Sequence, residues 1–137
     1  MSKPQKRMTT AEFRDYAFGS QSEEEFKAWL LRYAELRGWM RCHFRPAMRA
    51  DGSWYTPVEG DSGFPDVVLS KRGRPTHVWE LKSMDGMLRP DQRAWLAALT
   101  GRDWLASDSG IVWPTGSGFS AGCVRPDMRS EVEAELT

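Results

Sequence analysis

Gly63-Phe64-Pro65-Asp66, Val67-Val68-Leu69, Lys71-Arg72-Gly73-Arg74-Pro75 and Val78-Trp79-Glu80-Leu81-Lys82 form the stretch whose reading decides the fold. Two short runs rich in Val, Leu and Trp flank a charged segment that holds Gly and Pro, the composition of two strands joined by a turn. A hairpin folded at that turn brings the start of the first strand beside the end of the second. Asp66 then stands opposite Glu80, Leu81 or Lys82, on strands about 4.8 Å apart. A slip of one residue flips a whole set of side chains to the other face, and the residues alone leave the register open among these three.

Glu80 and Lys82 alternate with Leu81 and so share one face of their strand, while Trp79 and Leu81 point the other way, toward a core. Two carboxylates about 4 Å apart repel by about 4 kcal/mol at an effective dielectric near 20. Lys82 offsets part of this, and a divalent cation would offset more; hard oxygen ligands suit Mg²⁺ or Mn²⁺. A cation so held, with a lysine beside it, can activate water and stabilise charge on a phosphodiester. The same spacing also suits the solvated face of an edge strand, with Asp66 merely opening a turn. The context favours a site: Gly-Phe-Pro precedes the Asp, an apolar run precedes Glu-x-Lys, and Pro90-Asp91-Gln92 soon opens a helix.

Working outward, Ser83 to Arg89 reads as a turn containing Gly86, and Pro90 suits the first helical position. Gln92, Trp95, Leu96 and Leu99 share one face of that helix by their 3/4 spacing, so Gln92 can reach Lys82 or a bound phosphate. Upstream, Ser22 and Glu25 form a capping box, followed by an apolar stripe of Phe26, Trp29, Leu30, Tyr33 and Leu36 that Gly38 ends. Glu23 and Glu25 both flank the stripe, and helix geometry does not choose between them. Trp39 to Arg45 reads as a strand with Met40, Cys42 and Phe44 alternating against Arg41, His43 and Arg45, His43 facing outward. Pro46 to Ser62 is a long loop, a length that marks function or disorder. Arg45 and Arg49 near Trp54-Tyr55 suit contact with a nucleic-acid backbone and stacking on its bases; a surface loop with Trp54 packed onto the fold is the plain alternative. Past Gly101 there are two strand candidates, Ile111-Val112-Trp113-Pro114 and Cys123-Val124-Arg125-Pro126. The Gly/Ser-rich stretch Thr115 to Gly122 between them is an insertion or a β-turn. Pro126 to Leu136 reads as a closing helix. Residues 1–20 form an N-terminal arm with a short helix candidate over Thr10 to Phe18, and residues 21–137 form a single domain.

The chain of 137 residues is long enough for one domain with a hydrophobic core. Its 19 basic and 19 acidic residues balance, which argues against attachment to nucleic acid by bulk charge and leaves local patches open. No run of about 20 apolar residues is present, so no membrane span is expected. The basic start lacks the apolar segment of a secretory signal. Cys42 and Cys123 lie far apart without a CxxC, and with 2 histidines a structural zinc site is not expected. A reducing cytoplasm is the default compartment.

Gly63-Phe64-Pro65-Asp66, Trp79-Glu80-Leu81-Lys82-Ser83 and Gly86-Met87-Leu88-Arg89-Pro90-Asp91-Gln92-Arg93-Ala94-Trp95-Leu96, in that order, resemble the PD-(D/E)XK nuclease superfamily. More narrowly they resemble the VRR-NUC domains, small nucleases frequent in phages and related to Holliday-junction resolvases. The likeness covers about residues 22–99. It implies an α/β, restriction-endonuclease-like core: a mixed sheet of about four strands flanked by helices. It implies a Mg²⁺- or Mn²⁺-dependent endonuclease acting on DNA, including branched or flapped DNA, often as a homodimer, in the cytoplasm (the host's, if phage-encoded). The family places a carboxylate on the first helix three residues before an aromatic or aliphatic residue, and Glu23 before Phe26 fits. Carried over, Glu23, Asp66, Glu80 and the Leu81 carbonyl hold the metal. Lys82 orients the attacking water or stabilises developing charge, and Gln92 positions Lys82 or substrate. Lys71, Arg72, Arg74, Arg45 and Arg49 are the candidate phosphate contacts, a solvated turn being the simpler role for some of the first three. Arg89 departs from the family, which often has a Ser or Thr helix cap there. Two alternatives stand beside this reading: a binding module that keeps the fold without catalysis, and a sequence-specific restriction-type nuclease.

Overall fold

The structure is a computed structural model that describes residues 21–44, 47–55 and 59–137, with Arg7, Thr9, Thr10 and Gly19 besides. The helix expected over Thr10 to Phe18, and Arg45, lie outside the described residues. In chain order the elements are α1 (Glu23–Leu36), β1 (Met40–His43), β2 (Ala47–Met48), β3 (Trp54–Tyr55), β4 (Val67–Ser70), β5 (Thr76–Leu81), α2 (Pro90–Thr100), β6 (Gly110–Val112), β7 (Phe119–Val124), a 3-10 turn (Pro126–Met128) and α3 (Arg129–Leu136). The architecture is α/β, with a mixed five-stranded sheet in the order β1-β4-β5-β7-β6. It has one strand more than expected and is consistent with a restriction-endonuclease-like core.

β4 and β5 form the antiparallel hairpin, with Val67 opposite Trp79 and Leu69 opposite His77. β5 then pairs in parallel with β7, Glu80 beside Cys123 and Leu81 beside Val124. Alternation along β5 sends Trp79 and Leu81 to one face, where they join Phe26, Leu30 and Ala34 of α1 and Val132 and Leu136 of α3 in the larger core. The opposite face carries a smaller core of Leu88, Leu96, Trp104 and Cys123 beneath α2. The molecule is therefore a three-layer sandwich, and Glu80 and Lys82 point into the layer that α2 covers only in part.

α1 starts as expected, the Ser22 hydroxyl accepting from the Glu25 amide at 3.1 Å. Its buried residues are Phe26, Leu30 and Ala34. Leu36, counted in the stripe from sequence, lies at its rim and is exposed. β1 departs more. Met40 and Cys42 are exposed, not inward, because β1 is an edge strand; Trp39 is the residue that enters the core, its indole N–H donating to the Leu136 carbonyl at 2.9 Å. The Gly/Ser-rich stretch resolves as the turn between two antiparallel strands, and β7 begins inside it at Phe119. Small residues are required there. The Ser120 hydroxyl is wedged between His77 and the Trp79 indole, at 2.6 and 3.0 Å. A side chain on Gly122 would overlap the Gly110 carbonyl of the next strand.

Candidate metal centre

The register places Asp66, one step before the Val67–Trp79 pair, across from Glu80 and on its face. Asp66 Oδ2 also accepts the Leu81 amide at 3.1 Å. The Lys82 amide donates to Val124 on the β7 side, so the backbone groups of Leu81 face β4. There the register puts Pro65, which has no N–H to give the Leu81 carbonyl. Pro65 thus does two things: it ends the ladder at Asp66 and leaves the Leu81 carbonyl without a strand donor.

Glu23, at the first turn of α1, completes a carboxylate cluster. One oxygen each from Glu23, Asp66 and Glu80 lies within 4.8 Å of the others. Oxygen ligands at about 2.0–2.6 Å from a divalent cation stand up to about 4–5 Å from one another, so one ion can be shared after little movement. Glu80 is 1 % exposed. Its Oε1 accepts from Gln92 Nε2 at 2.9 Å and lies 4.0 Å from Lys82 Nζ. Its Oε2 is buried with no hydrogen-bond partner. Burial first, then the charge of Asp66, raises the Glu80 carboxyl far above the usual carboxylate range. The same two causes, in the same order, raise Glu23, while Lys82 opposes them. Three carboxylates beside one ammonium leave two negative charges when all are ionised. A buried, unpartnered carboxylate oxygen in such a cluster is what a dication would satisfy, so the residues present fit one. The buried Cys123 thiol, next to Glu80 on β7, is pushed up to about 12 chiefly by burial; it adds no charge to the floor.

The sequence offered Lys82 or a bound phosphate as the partner of Gln92; in the structure its hydrogen bond goes to Glu80. Gln92 is the third residue of α2 and 5 % exposed. Its Oε1 accepts the Arg89 amide at 2.9 Å, which leaves Nε2 free to donate to Glu80. One side chain thus caps the helix and orients a carboxylate. Arg89 itself cannot accept the Gln92 amide, having no acceptor; Asp91 Oδ1 takes that amide at 3.0 Å instead. Gly63 fits the loop before β4 against this helix start. Its φ is +92°, and a Cβ there would lie 2.5 Å from the Asp91 carbonyl carbon and 2.8 Å from the Gln92 amide.

The carboxylates lie in a cleft of about 370 Å³ whose lining includes Glu23, Asp66, Glu80, Lys82, Gln92 and Arg89. Arg49 and Tyr55 of the β2–β3 hairpin border it too, so of the loop cations named from sequence Arg49 joins the site. Lys71, Arg72 and Arg74 do not. They occupy the turn at the other end of the ribbon, about 20 Å of strand away at about 3.3 Å per residue over six residues. There Lys71 Nζ donates to the Arg37 carbonyl at 2.6 Å, and Arg74 donates to the Thr137 and Glu135 carbonyls at 2.7 and 3.0 Å. Lys71 and Arg74 thus satisfy carbonyls at helix C-termini, and Arg72 is exposed on the same turn.

The chain matches no family model, no curated protein and no solved structure. The site therefore stands on its own geometry. Sequence reasoning missed Arg89 as a cleft residue. The signal was available: an arginine offers no acceptor where a helix wants a cap, and its side chain pairs with Asp91 at 3.2 Å while bordering the cleft. It also missed the Phe44–Phe64–Trp95 series of edge-to-face rings at 5.7 and 5.1 Å, which props the loop carrying Gly63 to Pro65. Short apolar contacts between distant residues leave no local pattern.

Proposed function

We propose that this protein is a metal-dependent nuclease that hydrolyses DNA phosphodiester bonds at the Glu23–Asp66–Glu80–Lys82 cluster. The observation that carries this reading is the juxtaposition of three carboxylates within 4.8 Å beside a lysine 4.0 Å from one of them, the deepest carboxylate keeping one buried oxygen unpartnered. The resemblance of the motif to PD-(D/E)XK nucleases supports it and supplies the choice of DNA. Mg²⁺ or Mn²⁺ is the proposed ion. Bound there, it would neutralise the carboxylates, acidify water and offset charge on the phosphate.

The protein's own groups have distinct tasks. Glu23, Asp66, Glu80 and the Leu81 carbonyl would hold the ion. Gln92 keeps Glu80 in one rotamer by donating to Oε1. Lys82, 9 % exposed on the same strand face, places an ammonium where negative charge grows as water adds to phosphorus. The P–O bond then breaks, and the departing oxygen takes up a proton. A fixed donor aimed at developing charge is worth about 10²–10³ in rate.

The test is cleavage of plasmid, flapped and four-way DNA with Mg²⁺ or Mn²⁺. Wild type is expected to cut at least one; Asp66→Ala and Lys82→Ala, shown folded by circular dichroism, are expected to cut none. Wild type that binds DNA yet cuts nothing under either ion would leave a non-catalytic module in place of the nuclease.

A further inference from the structure

The β2–β3 hairpin forms a wall of the cleft that the proposed chemistry leaves unused. Ala47 pairs with Tyr55 and Met48 with Trp54, so alternation puts Ala47, Arg49 and Tyr55 on one side and Trp54 on the other. Tyr55 and Arg49 border the cleft, with the Arg49 guanidinium 4.6 Å from the Tyr55 ring centre. Trp54 turns away and is 64 % exposed. The hairpin turn is tightly tied: the Arg49 amide donates to Ser53 O at 2.8 Å, and Asp51 Oδ1 accepts both the amide and the hydroxyl of Ser53, at 2.9 and 2.6 Å. A guanidinium and an aromatic ring thus face the carboxylate floor from a braced support.

An aromatic face recognises a base only when that base is unstacked; in a continuous duplex both faces are covered by neighbouring pairs. The cations point the same way. Among the described residues, the basic ones lining the cleft are Arg49, Lys82 and Arg89, and Lys82 is engaged with Glu80. Lys71 and Arg74 are at the far end of the ribbon, and Arg125 is buried, donating to Ser83 and Gly86 carbonyls at 2.7 and 2.5 Å. Arg49 and Arg89, the latter with its Nε already on Asp91 Oδ1 at 3.2 Å, can meet about two phosphates, fewer than the roughly six to ten contacts that make duplex binding steeply salt-dependent.

We infer that Arg49 and Tyr55 determine the substrate: the cleft takes an unpaired DNA strand, a base stacking on Tyr55 and a phosphate meeting Arg49. This rests on the nuclease reading and goes beyond it, since that reading would hold equally for a duplex cutter. Binding is measured in an Asp66→Asn background, with Mg²⁺ present, to single-stranded, flapped and blunt duplex oligonucleotides carrying 2-aminopurine. The single strand and the flap are expected to bind with quenched fluorescence, and the blunt duplex more weakly. The salt dependence is expected to have a log–log slope of about −1.4, at about −0.7 per phosphate for two contacts. Adding Tyr55→Ala should weaken strand binding roughly 5- to 150-fold, the equivalent of about 1–3 kcal/mol per stacked base. Tyr55→Phe should retain binding, which separates stacking from folding, and Arg49→Ala should flatten the slope. Duplex binding as tight as strand binding, no binding to any of the three, or no loss with Tyr55→Ala would each overturn the inference. Cleavage of intact duplex by otherwise wild-type protein, indifferent to Tyr55, would overturn it and spare the nuclease. Tyr55-dependent strand binding without cleavage of any DNA would do the reverse.

Discussion

The two ends of the β4–β5 ribbon handle charge in opposite ways. At the turn, cations meet carbonyls: Lys71 and Arg74 close the C-termini of α1 and α3, and Arg74 also lies over the Trp39 ring at 5.4 Å. Nearby, His77 is buried among the rings of Trp39, Trp79 and Trp113, at 5.2, 4.7 and 5.5 Å, and its pKa is lowered to about 4, by burial first and then by Arg74. It is kept neutral. At the open end, like charges are gathered, buried and left short of partners. A ribbon that neutralises one end and gathers carboxyl groups at the other separates a structural end from the end proposed to hold the metal. Lys71 and Arg74 at the turn find carbonyl partners within the chain, whereas Glu80 at the open end keeps a buried oxygen without one.

The comparison can be broken at either end. The largest expected effect is at Gly63. Gly63→Ala places a Cβ against the backbone of Asp91 and Gln92 at a φ of +92°, and should destabilise the protein by about 2–4 kcal/mol through the combined backbone and steric penalties, read from urea unfolding. A loss below about 0.5 kcal/mol would mean that loop and helix are not in contact.

Next is Gln92→Ala, which removes one donor from Glu80 and one acceptor from the Arg89 amide. Metal affinity by calorimetry should fall about 10- to 100-fold, as for other groups that orient ligands. An unchanged affinity would show that Glu80 needs no support.

The third is a pH dependence of opposite sign at the two ends. Glu80 has a raised folded pKa, so the folded protein keeps a proton that the unfolded chain gives up. Its contribution is fully present below the ordinary glutamate range and is lost as pH rises through the raised value. His77, lowered to about 4, acts the other way: its contribution is present above about pH 6.5 and is lost as pH falls toward 4. In EDTA, melting temperature should therefore decline from neutral to alkaline pH, and Glu80→Gln should flatten that decline. Mg²⁺ should raise the melting temperature most at alkaline pH, where it competes with no proton. A Mg²⁺ effect that survives Asp66→Ala would place the ion elsewhere.

The smallest effect belongs to the turn. Arg74→Ala should cost about 1 kcal/mol, the net worth of hydrogen bonds from an exposed cation, with DNA cleavage per folded molecule unchanged. A selective loss of cleavage would return Arg74 to the substrate surface.

Much of this was legible in the residues. The hairpin, the helix starting at Ser22 and the helix starting at Pro90 follow from punctuation by Gly and Pro and from apolar periodicity, which are local properties. Asp66, Glu80 and Lys82 could be assigned to one site because alternation along a strand and closure of a two-stranded ribbon need no distant information. Other features were not legible. The β2–β3 hairpin has two residues per strand, too few for a pattern. β7 runs through small residues that look like a loop, because its neighbours Trp79 and His77 already fill the space beside it.

What the sequence determined by itself was the class of fold and which side chains could meet, since repeat period and turn chemistry are encoded within a few residues of each position. Only the tertiary structure decided that Asp66 sits across from Glu80 rather than Leu81 or Lys82, that Gln92 serves Glu80 and not Lys82, and that Lys71 and Arg74 bind helix ends instead of facing the cleft. Those choices depend on how whole elements dock: burial of the ribbon fixes its register, and the helix ends that come near its turn claim the charges there.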